Sequence, residues 1–422
     1  KEMKHWMFSI LIFLGSLSPT LAQTYSSEEV VVSGIDFSRF SAELNVDPNL
    51  DTTLAKRWAR NIERNFCWSG VFTLINSTYD YCHAKREAEM QIQLNQRENG
   101  LEFAVADLQG NVLLGEMLLI KENEISEDDI IRGVNQITER LTGVEGILGT
   151  SIAFTLKQPG RKKIIALTNT HGMGLRSLTN NKDISLLPRW SPDSTKLLYT
   201  TVGNRGTTIW MHNVLNNKAD ELRRGEDGVT SGGTWYSNGN RVVATISVNA
   251  NVDLYDIDIE SGKTQRLTRH SSIDTAPTLS PDNRNLVFVS DRTGREQIYM
   301  RDMESGSIYR LTFDGYSNSD PVWSPDGTRI VFSRSINGRN QIFLMDPFGD
   351  DYQQLTFGRY DSEKPTWSPD GRQIVFAADR TGAFKLYVMF VDGTGVRRLT
   401  TTPRGFEETG ASWSRRVLEG GS

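Results

Sequence analysis

The feature that most constrains this chain is a short string that returns six times at nearly constant spacing. Trp190-Ser191-Pro192-Asp193, Trp235-Tyr236-Ser237-Asn238-Gly239, Leu279-Ser280-Pro281-Asp282, Trp323-Ser324-Pro325-Asp326-Gly327, Trp367-Ser368-Pro369-Asp370-Gly371 and Trp413-Ser414 start 45, 44, 44, 44 and 46 residues apart. A period of that length suits a four-stranded propeller blade or a HEAT-type helical repeat, and the strand-type residues between the strings select the blade. In the fourth unit, Pro321-Val322-Trp323 runs into a Ser-Pro-Asp-Gly turn, where proline presets φ and glycine closes. A strand at 329–332, the hairpin signal Asn337-Gly338, a strand at 341–345 and a short strand at 353–356 complete four.

The phase of the repeat predicts how the ring closes. The sixth unit stops after its first strand at Trp413, whereas residues 152–156, 163–168 and 175–179 read as three strands ahead of the first tryptophan. A C-terminal strand around 411–414 then completes their sheet, giving five whole blades and one shared blade. Joining both ends in one sheet removes two exposed edges.

The N-terminal third lacks the repeat, and a chain of 422 residues is long enough for a second core. A strand is expected at 29–32. Leu54, Trp58, Ile62 and Phe66 recur every fourth residue, as on an amphipathic helix, and 71–75, 90–94, 101–105 and 112–120 read as strands. A second helix starts at Ser126, whose capping pattern Ser126-Glu127-Asp128-Asp129 precedes Ile130, Val134, Ile137 and Leu141, and Gly143 ends it. The expected fold is mainly β: a small N-terminal α/β domain at 23–148 and a C-terminal six-bladed β-propeller at 149–416, with 417–422 a tail or cloning scar.

Ahead of these, Lys1 and Lys4, an apolar run at 6–14, Pro19 and the small-residue exit Thr20-Leu21-Ala22 read as a cleaved signal peptide over 1–22, with Met3 as the natural start. The run is too short to cross a bilayer, so no membrane insertion is expected. An exported chain meets an oxidising compartment, and the only two cysteines, Cys67 and Cys82, are expected to pair. The net charge of -5 argues against nucleic-acid binding.

The repeated tryptophans fit packing between blades. The loops leading into the innermost strands converge on one channel mouth, where repeats are free to vary. They present Asp274-Thr275-Ala276, Asn318-Ser319-Asp320, Glu363-Lys364 and Glu407-Glu408, with Arg359 and Tyr360 close by. This set reads as a partner-binding face, its carboxylates steering a complementary segment. The same carboxylates could instead gather a calcium ion. No other cofactor is expected. His83, His171, His212 and His270 lack metal-ligand spacing, and no residue is assigned a catalytic role. The chain carries no Gly-x-Ser-x-Gly elbow, His-Glu-x-x-His, phosphate loop or dinucleotide fingerprint. A propeller lyase or hydrolase remains an alternative, with His270 beside Asp274 the nearest approach to such a site, and so does a generic interaction module.

Signal peptide, α/β domain and six such repeats, in that order, together with the junction Leu141-Thr142-Gly143-Val144-Glu145-Gly146 followed by Ser151-Ile152-Ala153-Phe154, resemble the TolB family of periplasmic propellers in the Tol-Pal system of Gram-negative bacteria. The segment 76–89, with Cys82, departs from that pattern. The resemblance implies a monomeric periplasmic scaffold without enzymatic activity. Its propeller would capture the peptidoglycan-associated lipoprotein Pal, and an N-terminal arm bearing Tyr25, Glu28 and Glu29 would contact TolA, in support of outer-membrane integrity and envelope constriction.

Overall fold

The computed structural model describes residues 39–47, 53–84, 87–97, 100–119, 125–180, 182–225 and 228–417. The expected signal peptide, the strand at 29–32 and the arm residues Tyr25, Glu28 and Glu29 lie outside them. Two compact units divide the chain, Lys1–Leu148 and Gly149–Ser422.

In the first unit, β1 (Phe40–Val46), β2 (Phe72–Leu74), β3 (Met90–Arg97), β4 (Gly100–Ala106) and β5 (Val112–Leu119) form one sheet in the order β2-β1-β3-β4-β5. β1 runs parallel to both its neighbours, and the remaining pairs are antiparallel. β1 was not among the expected strands. Only Ala42 of its centre is a buried apolar side chain, so alternation is faint there.

Two helices accompany the sheet, α1 (Thr53–Trp68) and α2 (Glu127–Thr142). Trp58, Ile62 and Phe66 of α1 are buried as their spacing predicts, and Phe66 packs edge-on against Phe72 and Phe103 at 5.1 and 5.7 Å. α2 starts as expected: the Ser126 hydroxyl accepts from Asp129 N–H at 3.0 Å, and Gly143 ends it in the left-handed region at φ 70°. A Cβ at Gly133 would sit 2.5 Å from the Phe103 ring, so this helix comes that close to the sheet only because it carries glycine. Cys67 and Cys82 form a disulfide across a Cα separation of 5.5 Å, joining the end of α1 to the divergent segment. Glu63 holds the same segment, accepting from Ser77 Oγ at 2.9 Å and Thr78 N–H at 2.6 Å.

The second unit is six antiparallel four-stranded sheets. The first to begin contains β6 (Ser151–Lys157), β7 (Lys163–Asn169) and β8 (Arg176–Ser177), and its innermost strand is the C-terminal Glu407–Trp413, paired with β6. Closure therefore follows the predicted phase. The other innermost strands are Ile184–Trp190, Thr230–Trp235, Asp274–Leu279, Asn318–Trp323 and Ser362–Trp367. Each packs against the next, and the C-terminal strand packs against the first, so the six enclose a channel.

The repeated string builds the turn after each innermost strand. Ser191, Ser280, Ser324 and Ser368 each donate a hydroxyl to the aspartate two residues on, at 2.5, 2.6, 2.5 and 2.5 Å. The same hydroxyls accept from the backbone N–H of Lys196, Asn285, Arg329 and Gln373. The turn's last residue is left-handed throughout: Gly327 and Gly371 at φ 73° where it is glycine, Ser194 and Asn283 at 61° where it is not. Trp190, Trp235, Trp323, Trp367 and Trp413 are all buried, as packing positions should be.

Candidate functional site

Every innermost strand breaks its ladder with its second strand at the same place. Register shifts fall between Thr275 and Thr278, Ser319 and Val322, Glu363 and Thr366, and Thr409 and Ser412, with counterparts in the other two blades. The residue three before the repeat tryptophan or leucine is left-handed in five blades: Leu187 at φ 57°, Ala276 at 49°, Asp320 at 51°, Lys364 at 52° and Gly410 at 61°. Four of these are not glycine, and each of the four precedes a proline. Left-handed backbone at such residues is costly and persists only where neighbours hold it, so these bulges aim side chains at the channel wall. Wall residues of adjacent blades meet there: a Cβ at Gly232 would lie 3.0 Å from Leu187 Cβ.

We call the channel end where the innermost strands begin the upper mouth and the other the lower mouth. The residues expected at the upper mouth divide into three groups. Asp274 and Asn318 are fully buried, Asp274 bonded within its own blade and Asn318 to both its own and the preceding blade. Asp274 accepts two bonds from Arg292 Nη2, both 3.0 Å. Asn318 donates to Gln297 Oε1 at 2.9 Å and to the Asp314 carbonyl at 2.8 Å, and it accepts from Arg334 Nε at 2.8 Å. Thr275, Asp320, Glu363 and Lys364 are half-buried on the innermost strands. Arg359 and Tyr360 are exposed on the loop before the fifth. Of the last acidic pair, Glu407 pairs with Lys157 at 2.9 Å, and Glu408 is fully buried, accepting from the Leu386 N–H at 2.9 Å and from the hydroxyls of Thr400 and Thr402.

The half-buried set carries the mouth's charge. Asp320 accepts from Ser333 Oγ at 3.2 Å, and Glu363 lies 3.6 Å from Lys364. Burial pushes the Glu363 carboxyl up; Lys364 draws it back and the Asp320 charge raises it further. Burial likewise raises Glu296, helped by the charges of Asp320 and Asp291. Four carboxylates thus share one negative field. Among the described residues, no group of three His, Cys, Asp or Glu side chains is arranged to hold a metal ion.

Sequence reading placed Tyr360 at this mouth but missed its other aromatic residues. Phe313 and Tyr316 on the loop before the fourth innermost strand, and Phe357 and Tyr360 on the next, are 69, 62, 69 and 47% exposed. Arg295 stacks on Tyr316 at 4.0 Å and Arg310 on Phe313 at 4.8 Å. The signal was present in the repeat itself, where Leu311-Thr312-Phe313 is matched by Leu355-Thr356-Phe357. In those pairs the leucine is buried while the aromatic two residues on is displayed.

Fold and site define a six-bladed propeller that presents loops around a central channel. The chain belongs to the TolB β-propeller family, whose domain model matches residues 138–417. Among relatives, the "Protein TolB homolog" of Chlorobium luteolum is 35% identical over 165 residues, 39% of this chain and 36% of its own. The "Tol-Pal system protein TolB" of Bordetella pertussis is 28% identical over 179 residues, 41% of this chain and 40% of its own. The chain thus aligns with well under half the length of these curated relatives. The crystal structure of TolB from Acinetobacter baumannii superposes with a TM-score of 0.71 over 89% of this chain and 97% of that one, a likeness of fold at 24% identity.

Proposed function

We propose that this protein is a periplasmic scaffold of the Tol-Pal system, with residues 1–22 a cleaved signal peptide, 23–148 an α/β domain and 149–416 the propeller. Its upper mouth binds the lipoprotein Pal through Thr275, Asp320, Glu363 and Lys364, with Arg359 and Tyr360 at the rim. Asp274 and Asn318 act by holding the strands that carry these groups. The N-terminal arm, with Tyr25, Glu28 and Glu29, contacts TolA. So placed, the protein links envelope layers and supports outer-membrane integrity during cell division. Two relatives' names, "TolB homolog" and "Tol-Pal system protein TolB", support the system.

The observation that carries the docking face is the coincidence of the carboxylate field of Asp291, Glu296, Asp320 and Glu363 with an exposed aromatic rim at one mouth. Aromatic anchors supply contact area, and the field steers a complementary partner. No helix among the described residues is long and apolar enough to cross a membrane.

Calorimetric titration with a soluble Pal domain tests the face. Saturable binding to the wild type and its loss in Asp320→Lys with Glu363→Lys support the reading. Equal affinity in both overturns it. Lysine is tolerated in the left-handed position, since Lys364 occupies its equivalent one blade on. Deleting residues 23–29 should abolish TolA binding and leave Pal binding intact.

A further inference from the structure

The lower mouth has the opposite chemistry. A cavity of about 190 Å³ opens there, lined by residues of all six blades, among them Arg189, Arg415, Asn283 and the repeat tryptophans. No aspartate or glutamate is among its lining residues. Arg189 precedes Trp190 on the first innermost strand, and Arg415 follows Trp413 on the last, so the two guanidinium groups come from the blades that meet where the ring closes. That junction is held by Trp190 N–H donating to Ser412 Oγ at 3.1 Å, and the Arg415 N–H donates to Ser194 Oγ at 2.8 Å.

Neither arginine has an ion-pair partner among the described residues. Arg189 bonds only the carbonyl of Pro188, at 3.0 Å. The charge of Asp320, from the blade across the channel, reaches Arg189 without forming a pair with it. Arg189 is half-buried in the channel and Arg415 stands exposed at its rim; partial removal from bulk water lowers the pKa of both, the direction expected of cations whose desolvation is not fully offset. Burying a guanidinium without an anion is unfavourable, and a guanidinium fork is the side chain best matched to a carboxylate or phosphate.

We propose that the lower mouth is a binding site for a small oxyanion, a phosphate or a carboxylate, held between Arg189 and Arg415. The cavity is below the roughly 300 Å³ at which pockets take drug-sized ligands, so it suits an ion or a compact diacid. Asn283 is fixed beside it, donating to Ser237 Oγ at 2.6 Å while accepting from Ser237 N–H at 2.9 Å. This site lies at the opposite end of the channel from the docking face, coupled to it only through the charge of Asp320 on Arg189.

The test is calorimetry and thermal unfolding of the full chain titrated with inorganic phosphate and, separately, succinate, with sodium chloride matching ionic strength. Saturable heat at one site per chain with either anion, and at least tenfold weaker binding in Arg415→Ala and Arg189→Gln, supports the site. The preferred anion separates a phosphate from a carboxylate ligand. Absence of saturable heat with both anions overturns the proposal, as does binding that is unchanged in the variants. Arg415 lies beyond the last strand, so its alanine variant should fold even if the Arg189 variant does not.

Discussion

The indole Nε1 of Trp235 donates to the carbonyl oxygen of Arg189 at 3.1 Å, one blade earlier. Trp367 repeats the relationship with Val322 at 3.0 Å. Trp413, on the closing blade, donates instead to Thr150 Oγ1 at 2.7 Å. The indole N–H groups of Trp190 and Trp323 are buried without a partner. The same repeat residue therefore packs everywhere but staples blades only in places.

Trp367→Phe should consequently cost about 1 kcal/mol more than Trp323→Phe, because only the first strands a carbonyl. Trp→Ala at either position should cost about 3–5 kcal/mol. Urea unfolding of the four variants checks both statements.

The closing blade depends on Glu408. Buried Lys385 lies 3.8 Å from it and donates to the buried Thr402 Oγ1 at 2.7 Å and to the Pro403 carbonyl at 3.0 Å. Glu408→Ala leaves that ammonium uncompensated and should destabilise the propeller by about 3–5 kcal/mol. Adding Lys385→Met should recover part of the loss, since the orphaned charge is then gone. Equal stability of the single and double variants would refute a coupled pair.

Glu363 gives the upper mouth a pH dependence. Burial first, and the Asp320 charge in addition, raise its pKa against the pull of Lys364. The folded chain then holds a proton more tightly than the unfolded chain does. Stability therefore falls as pH rises through and just above the ordinary glutamate range. Glu363→Gln should flatten that slope and raise Tm at pH 7; an unchanged profile would contradict the assignment.

Reduction of Cys67–Cys82 should destabilise the N-terminal unit by about 3 kcal/mol in the chain-entropy account of a loop this long. The propeller, which holds neither cysteine, should melt unchanged. Calorimetric scans with and without reductant read both.

The propeller was legible because its signals repeat. Period, turn residues and the three strands before Trp190 jointly determine six blades and the closing strand. What escaped was which way a side chain turns within a repeat. Asp274 and Asn318 open their strands beside Thr275 and Asp320, yet they point into blades, to Arg292 and Gln297. A one-residue step reverses the face of a strand, and the bulge at Ala276 and Asp320 shifts that step locally. The buried threonines of the outer Leu-Thr pairs were silent for the same reason: Thr312 and Thr356 accept from Ile298 and Ile342 N–H at 2.9 and 2.8 Å, bonds no local pattern announces.

Site-specific photocrosslinking tests the docking face most directly. A benzophenone side chain in place of Phe357, 69% exposed at the upper mouth, should crosslink a soluble Pal domain. The same group in place of Phe348, 80% exposed on the turn between the third and fourth strands of its blade at the other end, should not. Crosslinking from Phe348 with none from Phe357 would contradict the account.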